Sequence, residues 1–173
     1  KEYPVDCIIF ATGFEVGTDY TRRAGYDVIG KDNLSLSQKW SDGMRTLHGI
    51  HTHGFPNLFI ISNSQSGFTT NFPHSMDETA CHIGYILNRC LEENISTVEV
   101  SETAEDAWVE EIIAVSRYNE EFQAMGTPGY YNNAGQPNPK SVQNGPYGKG
   151  SRPYFKITKA WRDEGTMQGL DCE

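Results

Sequence analysis

The sequence predicts an α/β fold, or α+β for this stretch taken by itself, with short strands, two main helices and a long irregular C-terminal region. Three observations predict it. Val5 to Phe10 is an apolar run of the kind found in a strand buried on both faces. Leu58 to Ser62 is a second short run, ending in a polar, Gly-containing loop. From Ser75 onward, Met76, Ala80, Ile83, Leu87 and Leu91 recur at three- and four-residue steps, the period of one helix face.

Each element has its own warrant. A strand over 5–10 needs neighbours, and few other segments supply them, so sequence belonging to this fold is expected upstream of Lys1. Between the first two strands, Gly13, Gly17, Gly25, Gly30, Gly43, Gly49 and Gly54 predict turns and short pieces, with Trp40 as an apolar anchor. A weaker strand is expected over Thr97 to Val100. A second helix is expected from Thr103, whose hydroxyl can cap the first turn beside Asp106, with Trp108, Ile112, Val115 and Phe122 inward and an end by Gly126. Beyond Pro128 the Gly and Pro spacing leaves no room for a long element. Tyr130, Tyr131, Tyr147 and Tyr154 can bury area against a scaffold there, and Phe155 to Trp161 reads as a final short strand or helical turn.

Composition excludes several classes of function. The 173 residues are 37% hydrophobic and 21% charged, with a net charge of −9, which describes a globular chain rather than a disordered one. The absence of a Lys/Arg cluster argues against nucleic acid or anionic membrane as partners. No apolar run approaches a membrane span and no basic-plus-apolar leader opens the chain, so a cytoplasmic address is expected. Cys7, Cys81, Cys90 and Cys172 lack CxxC spacing and read as reduced, buried thiols.

The residue patterns that carry chemistry are few. Asp6-Cys7-Ile8-Ile9-Phe10-Ala11-Thr12-Gly13-Phe14 ends a strand in small residues, which let a ligand approach the backbone. Ser66-Gly67-Phe68-Thr69-Thr70-Asn71-Phe72-Pro73 opens a helix N-terminus, whose free amides can meet acceptor atoms of a ring such as a flavin. His48, His51 and His53 fit no familiar zinc spacing, and packed or surface histidines are favoured over a metal. His74 is expected in a helix-terminal hydrogen bond. Ser64-Gln65-Ser66-Gly67 is not a Gly-x-Ser-x-Gly nucleophile turn, and Glu92-Glu93 and Glu110-Glu111 read as solvated helix faces.

Taken in order, Asp-x-Ile-Ile-x-Ala-Thr-Gly-Phe, Trp40, Gly54-Phe-Pro-Asn-Leu-Phe and Phe68-Thr-Thr-Asn resemble flavin-containing monooxygenases, especially those of the type I Baeyer–Villiger kind. The likeness runs from about Asp6 to Phe122. It implies the C-terminal portion of a Rossmann-like fold that binds FAD and NAD(P) in two domains, with 1–126 the end of the FAD-binding domain and 127–173 a control-loop-like region and tail. It further implies that Ala11, Thr12, Gly13, Gly67, Thr70, Asn71 and Phe72 border FAD, that Phe68 and Phe72 face the substrate pocket, and that Tyr130 and Tyr131 lie in the loop that folds over NADP. Those relatives carry a Trp in that loop, which this sequence lacks. Both glycine-rich phosphate fingerprints and the active-site Arg would precede Lys1, so this chain alone is expected not to retain FAD and to be inactive. The full-length parent would oxidise a ketone by oxygen insertion, or a heteroatom, with NADPH. The competing reading is a non-catalytic binding or self-associating module, the latter a homo-oligomer formed through the exposed edge of the Val5 strand.

Overall fold

The computed structural model describes residues 1–11, 20–118, 121 and 140–173. In chain order these form α1 (Tyr20–Ala24), a 3-10 turn at Lys31–Asn33, α2 (Leu36–Lys39), α3 (Phe72–Glu93), β1 (Val98–Val100), α4 (Glu102–Val115), α5 (Ser141–Asn144), α6 (Ser151–Glu164) and β2 (Leu170–Cys172). No helix among the described residues is long and apolar enough to cross a membrane.

β1 sits at the centre, and its alternation organises the core. Val98 and Val100 point to one face, where Val100 joins Leu47, Trp108, Ile112, Tyr147 and Tyr154, while Val98 joins Ile86, Trp161 and Met167. Glu99, between them, points the other way. β2 pairs antiparallel with β1, Val98 opposite Cys172 and Val100 opposite Leu170. On the other side Asn57 substitutes for a strand: its amide donates to the Val98 carbonyl at 2.8 Å and its side-chain oxygen accepts from the Val98 amide at 2.9 Å. Asn57 does so at φ 59, a left-handed conformation Asn tolerates. The Gly54-Phe-Pro-Asn-Leu-Phe block is thus a turn locked onto β1.

The long helices are capped as their sequences suggest. Asn71 accepts from the His74 amide at 3.4 Å with Pro73 in the first turn, where its missing N–H costs nothing, and left-handed Asn94 ends α3. α4 begins two residues earlier than its sequence signal, because Ser101 rather than Thr103 accepts from the Ala104 amide at 3.3 Å. Trp108 and Ile112 are buried as expected and Val115 half-buried; Phe122, Gly126, Tyr130 and Tyr131 lie outside the described residues.

Four expectations are corrected. Residues 5–10 form no strand, and Ile9 and Phe10 are 84% and 83% exposed, because nothing among the described residues pairs with them. Leu58 to Ser62 is in no strand: the Ile60 amide donates to the Ile50 carbonyl at 2.8 Å, while the Leu58 amide and the Ser62 carbonyl bond to the nearby Phe55 carbonyl and Ser66 hydroxyl, which is no ladder. Phe155 to Trp161 belongs to a full helix, α6, with Gly150 as its N-cap at φ 98 and Pro153 within its first turn; residues read as breakers are its start signal. The thiols are free but not buried: Cys7 and Cys81 are exposed, Cys90 and Cys172 half-buried.

Candidate functional site

The N-terminus of α3 and the turn before it form an exposed rim. Phe68, Thr70, Asn71 and Phe72 all reach solvent there, and the first amides of a helix point outward without intrahelical partners. Gly67 is buried, for a reason the sequence did not disclose. A Cβ on it would lie 2.6 Å from the Tyr154 ring and 2.8 Å from that of Phe155, so α6 packs against this turn from beneath. Phe155 also meets the His74 ring edge-on, centroids 5.2 Å apart, so the His74 backbone serves the cap and its ring braces the rim. Ala11 is exposed and outside any regular element; Thr12 and Gly13 lie outside the described residues.

Two buried carboxylates, unmarked by any motif, hold the scaffold behind this rim. Glu105 accepts from Lys39 Nζ at 2.8 Å, Thr52 Oγ1 at 3.0 Å and the His53 amide at 2.8 Å, with Arg45 Nε at 3.4 Å. Each lone pair has a donor, which is how a fully buried carboxylate is tolerated. Glu99 accepts from Lys31 and from the Gly54 amide at 2.8 Å. Burial alone would raise its pKa, but the Lys31 ammonium and the Gly54 amide outweigh that and hold the carboxyl below its ordinary range. A charged residue between two valines of a short strand was the one available signal. A cleft of about 600 Å³ opens beside Glu99, between Lys31, Gln38 and His53, and none of its lining belongs to the rim.

His48, His51 and His82 are core residues, while His53 is half-buried and His74 exposed. His48 packs edge-on to Trp108 at 4.9 Å and to His82 at 5.6 Å, and His82 lies 4.9 Å from Trp161. Burial pushes His48 and His82 down to about 3, with help from neighbouring positive-capable rings and from Arg162 at His82, and burial pushes His51 down to about 4. They are neutral aromatic packing. Among the described residues no group of His, Cys, Asp or Glu could hold a metal ion.

Solved monooxygenase structures share this fold. The polycyclic ketone monooxygenase from the thermophilic fungus Thermothelomyces thermophila superposes with a TM-score of 0.75 at 31% identity, over 88% of this chain and 25% of that one. OTEMO, solved in complex with FAD and NADP, superposes at 0.73 with 25% identity, over 100% of this chain and 31% of that one. Sequence narrows the class. Pentalenolactone D synthase of Streptomyces exfoliatus is 45% identical over 174 residues, spanning 99% of this chain and 30% of that protein. Baeyer–Villiger monooxygenase 4 of Dietzia sp. (strain D5) is 38% identical over 171 residues, 99% of this chain and 28% of that protein. Over nearly its whole length this chain is homologous to a segment of Baeyer–Villiger monooxygenases, and it shares their fold. It spans about 30% of the length of the curated relatives it matches. No family model matches it.

Proposed function

We propose that this chain is the C-terminal segment of an FAD- and NADPH-dependent monooxygenase, that it forms one wall of the flavin site, and that alone it neither retains FAD nor turns over. The carrying observation is homology along 99% of the chain to enzymes about three times its length, among them one at 45% identity. In this reading residues 1–126 complete the FAD-binding domain and 127–173 follow as a control-loop-like region.

The rim fits an isoalloxazine ring by its chemistry. Backbone amides at the start of α3, with Thr70 and Asn71, present donors to the acceptor-rich edge of such a ring, and the dipole of a 22-residue helix favours electron density there. Gly67 and Phe72 border the ring, and Phe68 and Phe72 wall the substrate pocket against water. Ala11, Thr12 and Gly13 meet the same cofactor from the sheet side. Bound FAD, reduced by NADPH, supplies the oxygen chemistry; the residues of this chain orient the ring, desolvate the pocket and shape it for a small ketone, giving an ester or lactone, or for a soft heteroatom. Exposed Ile8, Ile9, Phe10, Leu87 and Leu91 are where the remainder of the enzyme packs.

The test compares this chain with the protein extended upstream to the length of its relatives. The longer protein is expected to purify with one FAD and to oxidise NADPH in a ketone-dependent way, the product gaining one oxygen by mass spectrometry. Stoichiometric flavin on the short chain, or none on the long one, would overturn the proposal. The same exposed apolar residues favour a second reading, self-association of the isolated chain, which sedimentation velocity tests directly: a monomer at all concentrations rejects it.

A further inference from the structure

We infer that Gln65 is a positioning residue for the ring-side rim: it ties the turn carrying Gly67 to Phe72 to the segment Gln143–Tyr147 and to α4, an inference that rests on the flavin reading above. Gln65 is fully buried at φ 56, immediately before the rim. Its side-chain nitrogen donates to the Met44 carbonyl at 2.6 Å and to the Gln143 carbonyl at 3.0 Å, and its side-chain oxygen accepts from the Thr46 hydroxyl. Its backbone amide donates to the Gly145 carbonyl at 2.8 Å, and its carbonyl accepts from Trp108 Nε1 at 3.1 Å. Ser66 extends the tie, accepting from the Tyr147 amide at 3.0 Å.

One residue therefore joins three segments remote in sequence, and all of its polar groups are used. Two carbonyls on one side and a hydroxyl on the other demand a primary amide. Glutamate would set a carboxylate against the Met44 and Gln143 carbonyls, and an apolar residue would take the Gln65 donor from the Gln143 carbonyl and leave the Met44 carbonyl with Gln143 Nε2 alone, at 2.7 Å. Downstream of this point the turn is held by the two bonds of Ser66, its carbonyl accepting from the Tyr147 amide and its hydroxyl donating to the Ser62 carbonyl at 2.7 Å, by the Tyr154 and Phe155 rings beneath Gly67, and by the Asn71 amide donating to Thr69 Oγ1 at 3.3 Å before the Asn71 cap. The orientation of the rim is set from Gln65 outward. Contacts made by Gln143 to Tyr147 are in this way transmitted to the residues proposed to meet the flavin.

The experiment has two readouts. In this chain, Gln65→Met keeps the volume and removes the polar ends; ¹⁵N order parameters of Gly67 to Thr70 are expected to fall from about 0.85 to below about 0.6, while α4 and the middle of α3 keep theirs. Thr46→Val removes one of the bonds to Gln65 and is expected to move the same residues less, which preserves the test should Gln65→Met fail to fold. In the full-length enzyme, Thr46→Val and Gln65→Met are expected to lower kcat for ketone-dependent NADPH oxidation by about tenfold at unchanged FAD content, with KM for NADPH within about twofold, and to alter the visible flavin spectrum. An unmoved rim in the variants of this chain overturns the role of Gln65 whatever the flavin does. Absence of FAD from the wild-type full-length protein overturns the flavin reading, and with it the positioning role, even where the rim loosens as expected.

Discussion

The two faces of α3 have traded their expected places. Its apolar stripe of Met76, Ala80, Ile83, Leu87 and Leu91 points largely to solvent, with Leu87 47% and Leu91 80% exposed. The face turned to the core is Ser75, Thr79, His82 and Ile86, polar at three of four positions. A hydrophobic period in sequence thus marks the apolar side of a helix, and burial is a different quantity. Here the inward face is held by aromatic packing against α6, with Tyr85 6.2 Å from Trp161 and Arg162 Nη1 3.2 Å from His82 Nδ1.

The sharpest way to break this comparison uses adjacent residues. Ile86→Asp places an unpaired carboxyl at a fully buried position and is expected to cost about 4 kcal/mol or more, unfolding the chain in a urea titration. The effect of pH is at least as large. His48, His51 and His82 are held near 3 to 4 when folded against an ordinary 6.5. Between those values the unfolded chain binds protons that the folded chain does not. Stability is therefore complete above pH 6.5 and falls as pH drops, by about 1.4 kcal/mol per pH unit for each histidine. Urea midpoints across that range check it, and His82→Gln is expected to flatten the slope; an unchanged slope would remove His82 from the account. Ser75 Oγ is buried with no partner among the described residues, so Ser75→Ala is expected to stabilise by up to about 1 kcal/mol, read from the same titration. Smallest is Leu87→Asp, one residue on from the first variant, expected to shift stability by no more than about 0.5 kcal/mol.

Much of the scaffold was legible because its signals are local. The α3 helix, the β1 run and the Trp108 and Ile112 face each rest on signals within a few residues and were read correctly, although the face α3 turns inward was not its apolar stripe. Four other features were not legible, each because its cause is remote. The apolar run at 5–10 has the composition of a buried strand, but a strand exists only with a partner, and composition does not say which chain segment provides one. Gly150 and Pro153 carry the same letters whether they break a helix or begin one, and α6 was settled by Tyr154 and Trp161 finding burial against α3 and α4. The rim from Phe68 to Phe72 was readable as a polar loop opening a helix, whereas the need for glycine at position 67 comes from rings nearly ninety residues later. Buried Glu99 and Glu105 leave no periodic trace, since their donors come from Lys31, Lys39, Thr52 and backbone amides in other segments.

Trp161 and Trp108 flank the imidazole of His48 at 6.0 and 4.9 Å, and Trp161 also lies against His82. An indole excited beside an imidazolium loses emission that it keeps beside a neutral ring. Two of the three tryptophans in the chain are therefore built-in optical reporters of core protonation, and dimming on acidification should accompany the first protons to enter, with no label attached.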